Sequence, residues 1–177
     1  TSTPSIYNDV KFGADLKVQF PKAFIVLIGT HPTALPKETM DLNNKIDGIA
    51  KGEADYIIRD LAIAIRDNKP LADVKGLVYR QDAKIVINEA MPLITDIDAI
   101  PWASKLIKQF LEPKDYFFAA AAYPEIQIFT GRGCPAHCYF CVFPQTIHGH
   151  KYRVRSAQSV VDEFEYIVNN FPNVKEI

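Results

Sequence analysis

The stretch AFIVLIG, Ala23 to Gly29, is an unbroken apolar run rich in branched side chains and closed by glycine. A strand with one wet face alternates polar and apolar residues. A continuous run of this length instead fits a strand covered on both faces, as in a parallel sheet. Such a strand needs helices on either side, and the flanking sequence offers them. After the Asn8-Asp9 start, Phe12, Leu16 and Phe20 recur every four residues, which predicts a capped helix over Asn8 to Phe20. Pro36 opens PKETMDLNNKIDGIA, a second predicted helix with proline in its first turn. ADYIIR, Ala54 to Arg59, reads as another buried strand, with DLAIAIRDN as the helix after it. Strand and helix in alternation predict an α/β layered domain over residues 1–75.

The pattern changes near Gly76. GLVYR and KIVIN flank QDA and predict a β-hairpin. PLITDIDAIPW, Pro92 to Trp102, mixes proline and aspartate with isolated apolar anchors, as a connector lying on a surface would. SKLIKQFL predicts one or two helical turns, and FFAAAAYP has no decisive period. Residues 76–124 are therefore read as hairpin and connector. From Glu125 a third region begins. EIQIFT predicts a strand, Ser159 with Asp162 a capping box, and Val160, Phe164, Ile167, Val168 and Phe171 one apolar helical face. NVKEI at the end predicts the start of a further strand.

The chain has 177 residues, 48% of them hydrophobic and 23% charged, with a formal net charge of −1. That is enough apolar material for one or two small domains. A near-neutral balance without basic runs argues against a nucleic-acid-binding surface, and no nucleic-acid partner is expected. No apolar stretch approaches the ~20 residues that cross a bilayer, so no membrane partner is expected. The opening TSTPSIYNDV has no positive n-region of an export signal, and a reducing cytoplasm is the expected location. The absent initiator Met leads to the expectation that the chain belongs to a longer protein.

All three cysteines, Cys134, Cys138 and Cys141, lie in TGRGCPAHCYFC with spacing C-x3-C-x2-C. An odd number of thiols cannot close on itself in disulfides. Three readings stand open on spacing alone. Three thiolates can hold an iron–sulfur cluster with one iron left open to a small molecule. With His137, His148 or His150 as a fourth ligand they can hold structural zinc. They can also be unligated thiols. Gly131 and Gly133 let the backbone turn tightly at the end of a predicted strand, where α/β proteins build active sites.

From Glu125 to Asn170 the order of strand, RGCPAHCYFC, loop, and a helix after YRVRS resembles the opening of a radical S-adenosylmethionine (SAM) domain. The resemblance implies that Cys134, Cys138 and Cys141 ligate a [4Fe–4S] cluster and that the Phe140 backbone lies near the adenine of SAM. In that family the open iron chelates SAM, and one electron cleaves the sulfonium to a 5′-deoxyadenosyl radical. A single-electron donor such as flavodoxin or ferredoxin and a small-molecule substrate follow as expected partners. With a cluster in place, His148 and His150 are expected on the loop surface.

The first ~75 residues resemble the second half of the cobalamin-binding domain found ahead of radical SAM domains in one subgroup. TSTPS, a helix, IVLIGTHPTALPKET and GEADYIIRDL follow the subgroup's order, and the Gly76–Trp102 segment resembles its connector. On that resemblance Thr3, Ser5, Gly29 and Thr30 line the groove for the cobalamin nucleotide tail. A glycine at a strand end lets a ligand approach the backbone, and hydroxyls can bond phosphate or ribose. The implied fold is α/β: a partial doubly wound, cobalamin-domain-like sheet, a hairpin and connector, and over residues 125–177 the first βα unit of a TIM-type barrel. Two departures stand out. The cobalt-coordinating Asp-x-His-x-x-Gly motif does not occur, so His31 is not assigned to cobalt. Where the subgroup reads Gly-Glu after its DY strand, this chain has Arg59-Asp60-Leu61. Ser156, beside Arg153 and Arg155, is read as a helix cap rather than as part of a site.

Overall fold

The apolar run at Ala23 does form a strand, with Val26–Ile28 (β1) as its paired centre. A computed structural model describes residues 1–177 and divides them into two units. The first comprises Thr1–Ile94 with Gly133–Lys151, and the second Thr95–Arg132 with Tyr152–Ile177.

In the first unit the elements run α1 (Ile6–Gln19), β1, α2 (Thr30–Ala34), α3 (Pro36–Asp41), β2 (Gly48–Ala50), α4 (Ala54–Arg66), β3 (Leu77–Gln81) and β4 (Lys84–Ile87). The sheet order is β1-β2-β3-β4. Strands β1 and β2 are parallel, with Leu27 opposite Ile49. The pairs β2–β3 and β3–β4 are antiparallel, with Ile49 opposite Val78 and Val78 opposite Ile87. The sheet is thus mixed, parallel on one side and a hairpin on the other.

Alternation along the strands sends side chains to two separate cores. Leu27, Ile49 and Val78 meet Ile6 and Val10 of α1 and Met40 of α3 on one face. Ala50, Leu77 and Tyr79 meet Ile57, Leu61 and Ala64 of α4 on the other. All of β2 is buried, as a strand sandwiched between helical layers must be. Burying side chains such as Ile49 of β2 and Ile57 of α4 contributes about 1.5–3 kcal/mol each, so both faces of the sheet add to the stability of this unit.

Several elements differ from the sequence expectation. Helix α1 buries Ile6, Val10, Gly13 and Ala14, while Phe12 and Phe20 point outward. The helix comes close at Gly13, where even a Cβ would lie 2.9 Å from Ile46 Cδ1, so the small residues take the inner face. The helix opened by Pro36 stops at Asp41, and its predicted C-terminal part is β2. The Asn43 side chain accepts the Lys45 N–H at 2.9 Å and turns the chain. Ala54–Arg59 is not a strand but the first part of α4, whose buried Ile57, Leu61 and Ala64 keep helical spacing. The hairpin forms as expected, with Asp82 and Ala83 both at positive φ (49° and 66°) in its turn.

In the second unit α5 (Ala103–Phe110), the short antiparallel pair β5 (Gly131–Arg132) and β6 (Arg153–Val154), and α6 (Ala157–Asn170) are joined by irregular chain. EIQIFT does not form a full strand. One parallel bridge joins Glu125 to Glu176, supported by Ile126 N–H to Glu176 C=O at 3.1 Å and Lys175 N–H to Pro124 C=O at 2.7 Å. NVKEI is likewise limited to that bridge. Ser156 is the N-cap of α6 and its hydroxyl accepts the Ser159 N–H at 3.2 Å, so the predicted Ser159–Asp162 box lies one turn too late. Asp98 accepts the Ser156 N–H at 3.0 and 3.2 Å, and the hydrogen bonding from Ser156 holds its carboxyl below the usual carboxylate range.

The inner face of α6 also differs. Ile167 and Phe171 are buried with Ile126, but Phe164 and Val168 face outward and Glu163 points in. Glu163 accepts the Ser104 hydroxyl at 2.8 Å and is ion-paired with Arg155. Arg155 also donates to the Phe129 and Ser159 carbonyls at 3.0 and 2.8 Å. A buried carboxylate is tolerable only with such partners, and this network occupies the space an apolar stripe would have filled.

Candidate functional site

The cysteine loop, Gly133–Lys151, belongs by its contacts to the first unit. Gly133 sits at φ 88°, and a Cβ there would collide with the Lys151 carbonyl, so the two limbs of the loop approach as closely as glycine permits. The Cys134 N–H donates to the Gly149 carbonyl at 3.2 Å and ties the limbs together. The Cys141 N–H donates to the Cys138 carbonyl at 3.0 Å, folding the C-x2-C segment into a turn. Cys134 and Cys138 are exposed and Cys141 is half-buried, all as free thiols. Tyr139 and Phe140 between them are almost fully exposed, at 95% and 82%.

Beyond Cys141 the chain makes a π-helical turn, Pro144–His148. The Thr146 hydroxyl and N–H both reach the Val142 carbonyl, at 2.6 and 3.0 Å. This turn lies against α2. Its residue Ile147, with Phe143 just before it, lines an open cleft of about 430 Å³ together with Ser5, Asp9, Gly29 and Thr30. That volume falls in the range of small-molecule sites. Gly29 is at φ 123°, and a side chain there would strike the backbone of Thr1, which lies across it with its hydroxyl on the Ile28 carbonyl at 3.1 Å. Ser5 donates to Asp9 at 2.7 Å.

Three of the four positions assigned to a groove thus meet in one cleft. Thr3 does not line it, since its hydroxyl meets His31 Nδ1 at 3.0 Å. Arg155 and Ser156 are absorbed by the packing and capping of α6. His137 and His150 stack at 4.2 Å, and His150 is exposed as expected. His148 is not on the open surface. Its ring lies parallel to Phe143, and Nδ1 is 3.6 Å from the buried Glu53 carboxylate.

The sequence reading overlooked Glu53. ADYIIR reads as strand, whereas it opens α4 with Glu53 at its N-cap position. With β2 ending at Ala50, Gly52 and Glu53 lie in the short corner between β2 and α4. Gly52 has φ 103°, and its N–H donates to the Thr33 hydroxyl at 3.1 Å.

No three His, Cys, Asp or Glu side chains converge on a point where one ion would touch them all. A mononuclear zinc site needs all its ligands within about 2.3 Å of one centre. A cubane cluster places each thiolate on a different iron, so its ligands stand apart. The loop carries three free thiols, two exposed and one half-buried, which is the ligand type that iron–sulfur clusters take.

No family model matches the chain. It is 30% identical over 176 residues to an uncharacterized methyltransferase of Pyrococcus horikoshii, covering 99% of this chain and 37% of the relative. It is 35% identical to the anaerobic magnesium-protoporphyrin IX monomethyl ester cyclase of Cereibacter sphaeroides, over 94% of this chain and 27% of that protein. The chain therefore spans well under half the length of these relatives. Among solved structures, the fold resembles the radical SAM methyltransferase TsrM of Kitasatospora setae with cobalamin and a [4Fe–4S] cluster bound (TM-score 0.60, 19% identity, 96% of this chain and 34% of that one). It also resembles the cobalamin-dependent SAM radical enzyme OxsB (TM-score 0.62, 19% identity, 86% of this chain and 20% of that one). The mixed α/β fold of this chain is thus the fold these two solved structures share over most of its length.

Proposed function

We propose that this chain is the cobalamin-facing and cluster-bearing portion of a radical SAM enzyme that alkylates or cyclises a small organic substrate. The observation that carries the reading is the shared cleft: Phe143 and Ile147 from the cysteine loop line the same space as Ser5, Gly29 and Thr30. In this reading β1 and β2 with their helices are half of a doubly wound cobalamin domain. The Glu125–Glu176 bridge across α6 is the opening βα unit of a TIM-type barrel.

Cys134, Cys138 and Cys141 would hold the cluster, and the Phe140 backbone would lie along the adenine of SAM. When bound, a reduced [4Fe–4S] cluster supplies single-electron cleavage of the SAM sulfonium, and cobalamin supplies a carrier for an alkyl group. The chain's own residues do the positioning. Gly133 lets the loop limbs close, and the Gly149 carbonyl ties them by accepting the Cys134 N–H. Thr30 and Ser5 offer hydroxyls to the polar part of a nucleotide, and Gly29 lets the Thr1 backbone lie across the strand end beside them. Phe143 and Ile147 line the cleft with apolar surface. A cytoplasmic flavodoxin or ferredoxin is the fitting electron donor. Methyl transfer and ring closure both occur by name among the relatives, and both fit this arrangement.

The test is anaerobic reconstitution of the chain with iron and sulfide, followed by metal counting and electron paramagnetic resonance. The expected result is about four irons per chain and a reduced signal that changes on adding SAM, both lost in Cys138→Ala. Hydroxocobalamin should bind to the same sample, more weakly after Thr30→Trp. One tightly held zinc, no iron uptake and no colour would overturn the reading and leave a structural metal site.

A further inference from the structure

Glu53 stands at the N-cap position of α4, yet its side chain makes no capping bond to that helix. Glutamate is not among the favoured caps, so helix initiation does not explain the residue. Its carboxylate is turned into the protein and only 2% exposed. Burying an ionisable group is costly unless it is partnered, so its contacts identify what it is there to hold. Oε2 accepts the N–H of Ile94 at 2.8 Å, where the connector leaves the first unit. Oε1 faces His148 Nδ1 at 3.6 Å, ion-pair distance when the imidazole is protonated. His148 ends the π-helical turn, and its ring lies parallel to Phe143.

The next residue transmits the contact. Gly149 has φ 66°, and a Cβ there would come within 2.5 Å of Leu93 Cδ1, so the Leu93 side chain packs against the glycine next to Ile94. The Gly149 carbonyl then accepts the Cys134 N–H. A continuous path runs from the Glu53 carboxylate through His148 and Gly149 to the first cysteine. A second branch runs through Ile94 and Leu93 to the same glycine.

The geometry points to Glu53 as a positioning residue: from the β2–α4 corner it sets the return limb of the cysteine loop through His148 and Ile94, and with it the place of Cys134. The claim rests on the cluster reading for its purpose but not for its test. Residues that orient metal ligands from outside are commonly worth about 10- to 100-fold in metal retention.

The experiment measures amide hydrogen exchange in the full chain, metal-free, for wild type, Glu53→Ala, Glu53→Gln, His148→Ala and the Glu53→Ala/His148→Ala double variant. Exchange reports local opening residue by residue. Glu53→Ala and His148→Ala should each speed exchange at the Cys134 amide about tenfold, with Ile57, Leu61 and Val78 unchanged. The double variant should be no faster than the quicker single one, because both act on one path. Glu53→Gln keeps an acceptor for Ile94 and a polar atom toward His148, so it should restore most of the protection. In iron-loaded samples the same order should appear in the rate of iron loss to a chelator. Unchanged protection at Cys134 in Glu53→Ala, or fully additive effects, would overturn the positioning role. If wild type takes up no iron while the exchange pattern holds, the cluster reading fails and the positioning of the loop stands.

Discussion

Gly133 and Asp98 show how much single positions can decide in this chain. At Gly133 both the positive φ and the nearby Lys151 carbonyl forbid a side chain. Gly133→Ala should strain the backbone by roughly 1–3 kcal/mol and push the loop limbs apart. The expected outcome is a fall in reconstituted iron below that of wild type, with the far-ultraviolet circular dichroism unchanged. Asp98 makes a prediction in pH. Its carboxyl is held below the usual range by hydrogen bonding from Ser156, so its contribution is present above the unfolded value and is lost as pH falls through the folded one. Asp98→Asn should therefore lower the melting temperature at neutral pH, and the gap to wild type should close in acid, below the ordinary aspartate range. A gap that widens on acidification would contradict the assignment.

At the level of elements, the hairpin offers the sharpest prediction. Ala83 adopts a left-handed conformation that costs a residue with a Cβ about 1–2 kcal/mol. Ala83→Gly should stabilise the chain by about 1 kcal/mol in denaturant unfolding, with no effect on the cleft. The hairpin was legible in the sequence because QDA separates two short β-favouring runs. So was β1, from its unbroken apolar run. ADYIIR was not legible as helix, because a short apolar run has no period of its own and only the buried Ile57, Leu61 and Ala64 reveal one. The α1 stripe misled for a related reason. Spacing identifies a helix, but the small residues at Gly13 and Ala14, not the large ones, decide which face can approach a sheet. Glu53 was hidden because its partners are forty residues or more away, at Ile94 and His148, and no local pattern encodes that closure.

For the molecule as a whole, the charge balance and the surface act together. The sequence pI is about 6.4, and large aromatics such as Phe12, Phe117 and Tyr139 are exposed. Near that pH little net repulsion opposes contact between apolar patches. Light scattering across pH 5 to 8 should show greatest association near pH 6.4, easing on either side; a flat profile would mean that the exposed aromatics do not govern solubility. No helix is long and apolar enough to cross a membrane. The loop of residues 133–151 is grouped with Thr1–Ile94, although β5 and β6 on either side of it are grouped with the other unit. Modularity in this chain therefore does not follow the order of its residues. A chimaera joining residues 1–94 from one homologue to 95–177 of another would bring a foreign loop onto a native cleft, mismatching Phe143 and Ile147 against Gly29 and Thr30. Recombination between relatives should succeed only where the loop and the N-terminal unit travel together, so the two are in effect one heritable part.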